Sequence, residues 1–272
     1  MDKTLVAFDC DGVIFDHIGE DFLCAYNAFL NLFPDTKDPI LPDGHLGLDD
    51  IAEVKHESML FAKFRSLAGF ALRAEDYQTA LLLALDSTRD TMSIGEEQFI
   101  EMKNGLMHLS SEFKEEFYKA RSLLQRQSPE KWADMIPIYP GVYEAISGLA
   151  SRPGTAVVAA TGRDRDSTMR LFSHNRIDHL FEQVATREDG NTKLEQLRYL
   201  SDLTSVPLER IVYIDDTLGN LHQAEGYCIP VLPDWGLTSP QDLEKGRQAG
   251  FEVLRLPTLY QQIDSLLARI AV

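Results

Sequence analysis

Thr4-Leu5-Val6-Ala7-Phe8-Asp9-Cys10-Asp11-Gly12-Val13 decides how the rest of the chain is read. A short apolar run that stops at an acid predicts a buried strand with two carboxylates just beyond its end. Asp9 and Asp11 are two residues apart, and in an extended segment such side chains point to the same side. Both carboxylates can then face one ligand, while Gly12 lets the chain turn at once and approach an anion closely.

Working outward, residues 16 to 137 contain no comparable strand and read as helical throughout. Phe22, Tyr26, Phe29, Leu30 and Phe33 recur at helical spacing, with Pro34 as a stop. Ala74–Thr88 reads as a second helix. Gly95–Gln127 reads as one long helix or two, and Ser128-Pro129 caps a short helix through Trp132. From Ile138 onward strands and helices alternate. Strands are expected at Thr155–Ala160, Gln183–Thr186, Arg210–Asp215, Cys228–Leu232 and Glu252–Leu256. Helices fit between them over 142–151, 166–175, 192–203, 218–225, 240–249 and 259–270. Such alternation predicts an α/β fold: a Rossmann-like parallel sheet with helices on both faces. The first strand joins this later sheet, so the expected organisation is a catalytic core of residues 1–15 and 138–272 with a helical cap of residues 16–137 inserted in it.

Ligands of an open parallel sheet bind beyond the carboxyl ends of its strands. Three strands here end in polar sets: Asp9-Cys10-Asp11, Thr161-Gly162-Arg163 and Asp215-Asp216-Thr217. Two acidic pairs brought together repel each other unless a cation lies between them. Oxygen donors without accompanying nitrogen or sulfur favour magnesium. One carboxylate of the first pair can attack as a nucleophile while the other exchanges a proton with the leaving oxygen.

Composition narrows the choice further. The chain has 272 residues, 44% of them hydrophobic, and a formal net charge of −17. That charge, with no basic run to offset it, disfavours nucleic acid and anionic membranes. No apolar run is long enough to span a bilayer. Asp2 and Lys3 lead straight into the first strand without a basic-then-apolar leader, so a cytoplasmic protein is expected. Cys10, Cys24 and Cys228 are odd in number and widely spaced, giving neither a disulfide framework nor a zinc pattern.

The motifs together resemble those of the haloacid dehalogenase superfamily, in the form its phosphatases use. Asp9-Cys10-Asp11-Gly12-Val13-Ile14-Phe15-Asp16 resembles its first motif, and Thr161, preceded by Pro140-Gly141, its second. Lys193 fits the third, and Tyr213 to Asn220 the acidic fourth. The tail Pro233-Asp234-Trp235-Gly236, followed by Ser239 to Leu243, is similar to phosphoglycolate-phosphatase-like members. The sequence departs from the pattern in two places. Leu194-Glu195 follows the lysine where a proline is usual, and Asp215 and Asn220 stand where a glycine and a later acid are usual.

The resemblance implies a magnesium-dependent phosphatase acting on a small phosphorylated metabolite. Asp9 would form an aspartyl-phosphate and Asp11 would serve as acid and then base. Thr161 and the amide of Gly162 would hold phosphoryl oxygens, and Lys193 would keep Asp9 ionised. Magnesium would lie between Asp9, the main-chain oxygen of Asp11 and the Asp215/Asp216 pair, with Asp216 favoured as the direct ligand. Arg163 would either steer phosphate or cap the following helix. Phosphonate cleavage, a phosphomutase or a catalytically idle binding protein are the alternatives on this scaffold, and the helical insert could serve as a homodimer surface.

Overall fold

Six parallel strands form one sheet in the order β3-β2-β1-β4-β5-β6 in the computed structural model. The structure describes residues 3–34, 44–71 and 73–270. The strands are β1 (Thr4–Phe8), β2 (Thr155–Ala160), β3 (Gln183–Ala185), β4 (Ile211–Ile214), β5 (Ile229–Pro233) and β6 (Glu252–Leu254). Contacts divide the chain into two compact units, Met1–Asp16 with Pro137–Val272, and His17–Ile136.

The sheet unit also carries helices α8 (Val142–Ala150), α9 (Arg165–His174), α10 (Lys193–Thr204), α11 (Leu218–Ala224), α12 (Pro240–Gln248) and α13 (Leu259–Ile270). Every residue of β1 and β4 is buried, which is why both read as unbroken apolar runs rather than alternating ones. Successive side chains still point to opposite faces. Leu5, Ala7, Val158 and Tyr213 pack with Leu197 and Leu200 of α10 and Leu221 of α11. Helix α8 packs on β2 and against α13. The expected α/β architecture is thus present: β1 and β2 have the expected bounds, β5 is shifted by one residue, and β3, β4 and β6 are one or two residues shorter than expected. Arg210 belongs to a 3₁₀ turn, Leu208–Arg210, that leads into β4.

The order of strands reverses between β1 and β4, the switch point at which such sheets open a crevice. Register fixes what meets there. Phe8 lies opposite Ala159 on one side and Ile214 on the other. Asp9 therefore leaves the sheet level with Asp215, its N–H donating to the Ile214 carbonyl at 2.9 Å.

The second unit consists of α1 (Ile18–Leu32), α2 (Ile51–Glu57), α3 (Met59–Ala68), α4 (Tyr77–Leu85), α5 (Glu96–Gly105), α6 (Ser110–Gln127) and α7 (Pro129–Asp134). The helix expected over Ala74–Thr88 is shorter, with a 3₁₀ turn at Ala74–Asp76 before it. Gly95–Gln127 is two helices, α5 ending at Gly105 and α6 starting after a 3₁₀ turn at Met107–Leu109. The core of this unit is aromatic: Phe22 meets Phe61 and Phe64 edge-on at 5.3 Å, and Tyr77 stacks on Phe117 at 5.7 Å. The aromatic periodicity of the first segment is therefore a packing signal. Helix α1 also buries two acids, Glu20 and Asp21, which Arg121 satisfies together with the Trp132 indole and His17. No helix of the described residues is long and apolar enough to cross a membrane.

Candidate active site

Asp9 lies at the carboxyl end of β1 and is almost wholly buried. One of its oxygens accepts the Cys10 N–H at 2.7 Å and pairs with the Lys193 ammonium at 2.7 Å. Lys193 is the first residue of α10, and that helix start has a local cause. The Thr192 hydroxyl accepts the Glu195 N–H while the Glu195 carboxylate accepts the Thr192 N–H, a capping box. Thr192 and Glu195 thus define, by capping, the start of a helix that lacks the usual proline after the lysine. The same carboxylate accepts the Asn191 N–H at 2.7 Å. Lys193 also donates to the Ala160 carbonyl at 2.7 Å, which ties α10 to the end of β2.

Asp215 is fully buried and held from several directions. It accepts the Thr217 N–H at 2.8 Å, the Asn220 amide at 3.1 and 3.2 Å, and the Tyr213 hydroxyl, and Lys193 lies 3.4 Å away. Asn220, which stands where a later acid is usual, acts here as a donor to this carboxylate. Tyr213 was not singled out from the sequence. The signal was available, because alternation in an extended segment puts residues 213 and 215 on the same side.

Asp9, Asp215 and Asp216 each offer an oxygen within 4.8 Å of the others. Lys193 is the ammonium that pairs with Asp9 and Asp215. Burial pushes the Asp9 carboxyl well above the usual carboxylate range; Lys193 opposes this, and Asp215 and Asp216 add to it. Burial pulls the Lys193 ammonium down, but Asp9 and Asp215 outweigh it and hold the amine above its ordinary range. The cluster is therefore short of positive charge, and its donors are all hard oxygens. That set fits a divalent cation, with Asp9 and Asp216 as the residues that could hold it and Asp215 as an anchored neighbour.

The Asp11 carboxylate is not part of this cluster. It pairs with Arg163, whose Nε lies 3.0 and 3.1 Å from its two oxygens and whose Nη2 lies 2.9 Å from one of them. The Arg163 side chain is completely buried while a quarter of the Asp11 side chain is exposed. Arg163 does not cap the following helix, because Asp164 does so by accepting the Ser167 N–H at 2.9 Å. Thr161 is buried and its hydroxyl accepts the Arg163 N–H at 3.1 Å. Gly162 between them is exposed. Gln196, also missed from the sequence, donates to the Thr161 carbonyl at 2.8 Å. Burial pushes the Cys10 thiol well up, with Asp9 and Asp11 adding to it, so Cys10 is an inert strand-end residue.

Comparisons with known proteins agree with this geometry at the level of fold. A haloacid dehalogenase-like family protein from Streptococcus pneumoniae superposes with a TM-score of 0.58 at 14% identity, covering 93% of each chain. A predicted phosphoglycolate phosphatase from Haemophilus somnus gives 0.59 at 13% identity, covering 96% of this chain and 98% of that one. A haloacid dehalogenase-superfamily hydrolase of subfamily IA from Geobacter sulfurreducens gives 0.54 at 15%, covering 97% and 96%. No curated protein matches the chain. The family model for haloacid dehalogenase-like hydrolases, however, matches residues 3–221, a span that carries all four motifs, and the chain belongs to that family.

Proposed function

We propose that this hydrolase is a phosphatase that cleaves the phosphomonoester of a small metabolite through an aspartyl-phosphate on Asp9. The observation that carries the reading is the pairing of buried Asp9 with Lys193 at 2.7 Å, two residues before a second carboxylate that belongs to a different network. Two neighbouring acids in separate environments can take separate roles.

An Asp9 oxygen attacks phosphorus in line, forming an O–P bond as the bond from phosphorus to the leaving oxygen breaks. Protonated Asp11 gives its proton to that leaving alkoxide. As a carboxylate it then takes a proton from a water whose oxygen attacks phosphorus, freeing Asp9 and inorganic phosphate. Thr161 and the Gly162 N–H supply donors for the phosphoryl oxygens, and Arg163 lies close enough to Asp11 to orient it. Lys193 favours the ionised form of Asp9 against the burial that opposes it. A magnesium ion held by Asp9, Asp216 and the main-chain oxygen of Asp11 would supply the remaining positive charge for the dianionic ester. The helical unit would act as the cap that selects the metabolite.

The test is turnover of p-nitrophenyl phosphate with magnesium and with excess EDTA, combined with rapid-quench capture of the phosphoenzyme. Asp9→Asn should lose the phosphoenzyme and at least about a thousandfold in activity. A covalent phosphate on another residue, or wild-type turnover in Asp9→Asn, overturns the reading.

A further inference from the structure

The loop after β5 touches the catalytic cluster although it lies beyond residue 221, where the family match ends. Its base is tied to β6, because the Asp234 N–H donates to the Leu254 carbonyl at 2.8 Å. The next residue, Trp235, is buried and its indole N–H donates to the Val13 carbonyl at 3.0 Å. The Leu237 N–H donates to Asp216 Oδ2 at 2.9 Å, and the Thr238 hydroxyl to the Asp216 main-chain oxygen at 3.2 Å. Gly236 lies between these contacts at φ +76°, and a Cβ there would stand 2.1 Å from the Gly12 carbonyl oxygen and 2.7 Å from Asp216 Oδ2. On the other side Gly12, at φ +83°, would put a Cβ 2.0 Å from the same oxygen. The Asp216 carboxylate therefore occupies a slot between two glycines on two loops, with an amide hydrogen bond fixing one oxygen.

This packing has an energetic purpose. Asp216 shares its surroundings with Asp9 and Asp215, and like charges at this separation push a free side chain outward. We infer that the Trp235-Gly236-Leu237 strap is a positioning element for Asp216, holding its carboxylate against that repulsion and so setting the affinity of the cluster for a divalent cation. Trp235 anchors the strap to the loop after Asp11, Gly236 leaves room for the carboxylate, and the Leu237 amide holds it. The inference rests on the proposed magnesium site. Partners that orient a ligand in this way typically alter metal affinity by about 10- to 100-fold when lost.

The experiment is a calorimetric magnesium titration of the full chain, with melting temperatures measured in EDTA, for wild type, Trp235→Phe and Gly236→Ala. Trp235→Phe keeps an aromatic ring but removes the pyrrole half of the indole with its N–H, so it should melt only slightly lower in EDTA yet bind magnesium about tenfold more weakly. Gly236→Ala, whose methyl must displace either Gly12 or Asp216, should weaken magnesium by about 100-fold. Wild-type affinity in both variants overturns the strap and leaves the phosphatase reading standing. A loss of affinity seen only alongside a matching collapse of the melting temperature in EDTA marks a folding role and also overturns it. No magnesium binding by the wild type overturns both.

Discussion

Replacing Lys193 with Met tests the electrostatic reading of the site most directly. Methionine keeps much of the side-chain volume, so the change removes charge and hydrogen bonds rather than packing. The lost contacts are 2.7 Å to Asp9, 3.4 Å to Asp215 and 2.7 Å to the Ala160 carbonyl. Removing one partner of a buried ion pair costs about 3–5 kcal/mol, because the other charge stays buried without it. A value near 4 kcal/mol is a large share of the roughly 5–15 kcal/mol that holds a typical protein folded. At about 2–4 °C per kcal/mol for a unit of this size, the melting temperature in EDTA should fall by about 8–16 °C.

The pH dependence has a defined sign. Burial holds the Asp9 carboxyl above its ordinary range even with Lys193 present, so the folded state binds that proton more tightly than the unfolded chain does. Stability is then lost as pH rises from the ordinary carboxylate value through the raised folded one. Without Lys193 the carboxyl rises further and the window of loss extends upward. The Lys193→Met deficit should be largest at neutral and alkaline pH and shrink as the pH falls and Asp9 takes up its proton. Magnesium should shrink it as well, since a cation replaces the missing charge. Scanning calorimetry across pH reads all of this. A variant that melts with wild type at neutral pH in EDTA, or a deficit that does not change with pH, would refute the reasoning.

Arg163→Met should cost more with an alkyl phosphate than with p-nitrophenyl phosphate, by about tenfold or more, because only the poorer leaving group needs a well-placed acid. Equal losses in steady-state kinetics would mean that Arg163 does not act through Asp11. Gly12→Ala must accept a left-handed backbone and a Cβ 2.0 Å from Asp216, so it should lose about 1–3 kcal/mol to backbone strain alone and melt several degrees lower; an unchanged melting temperature would contradict the close approach. Burial pushes the Cys228 thiol up to about 12, so it should resist iodoacetamide at about pH 8 in the folded protein and react once unfolded. Mass spectrometry showing rapid native labelling at Cys228 would disprove its burial.

The sheet, the helical insert and the carboxylates at the strand ends are legible in the order of residues alone. This is because they depend on short-range rules. Strands buried on both faces appear as apolar runs, helices as 3.6-residue periodicity, and the Asp9/Asp11 spacing has meaning wherever the segment is extended. The Thr192/Glu195 capping box and the Tyr213–Asp215 pair are equally local, and both were within reach of the same rules. The break between α5 and α6 at Gly105 was left open because either outcome satisfies the aromatic spacing on both sides. Which charges meet depends instead on long-range packing. Arg163 reaches Asp11 across 152 residues of chain and Trp235 reaches Val13 across 222. Such pairings follow from strand order and from the path of each loop beyond its strand. Propensity acts between neighbours and carries no information about those paths, so the partner of Asp11 and the slot around Asp216 exist only once the sheet has closed in its final order.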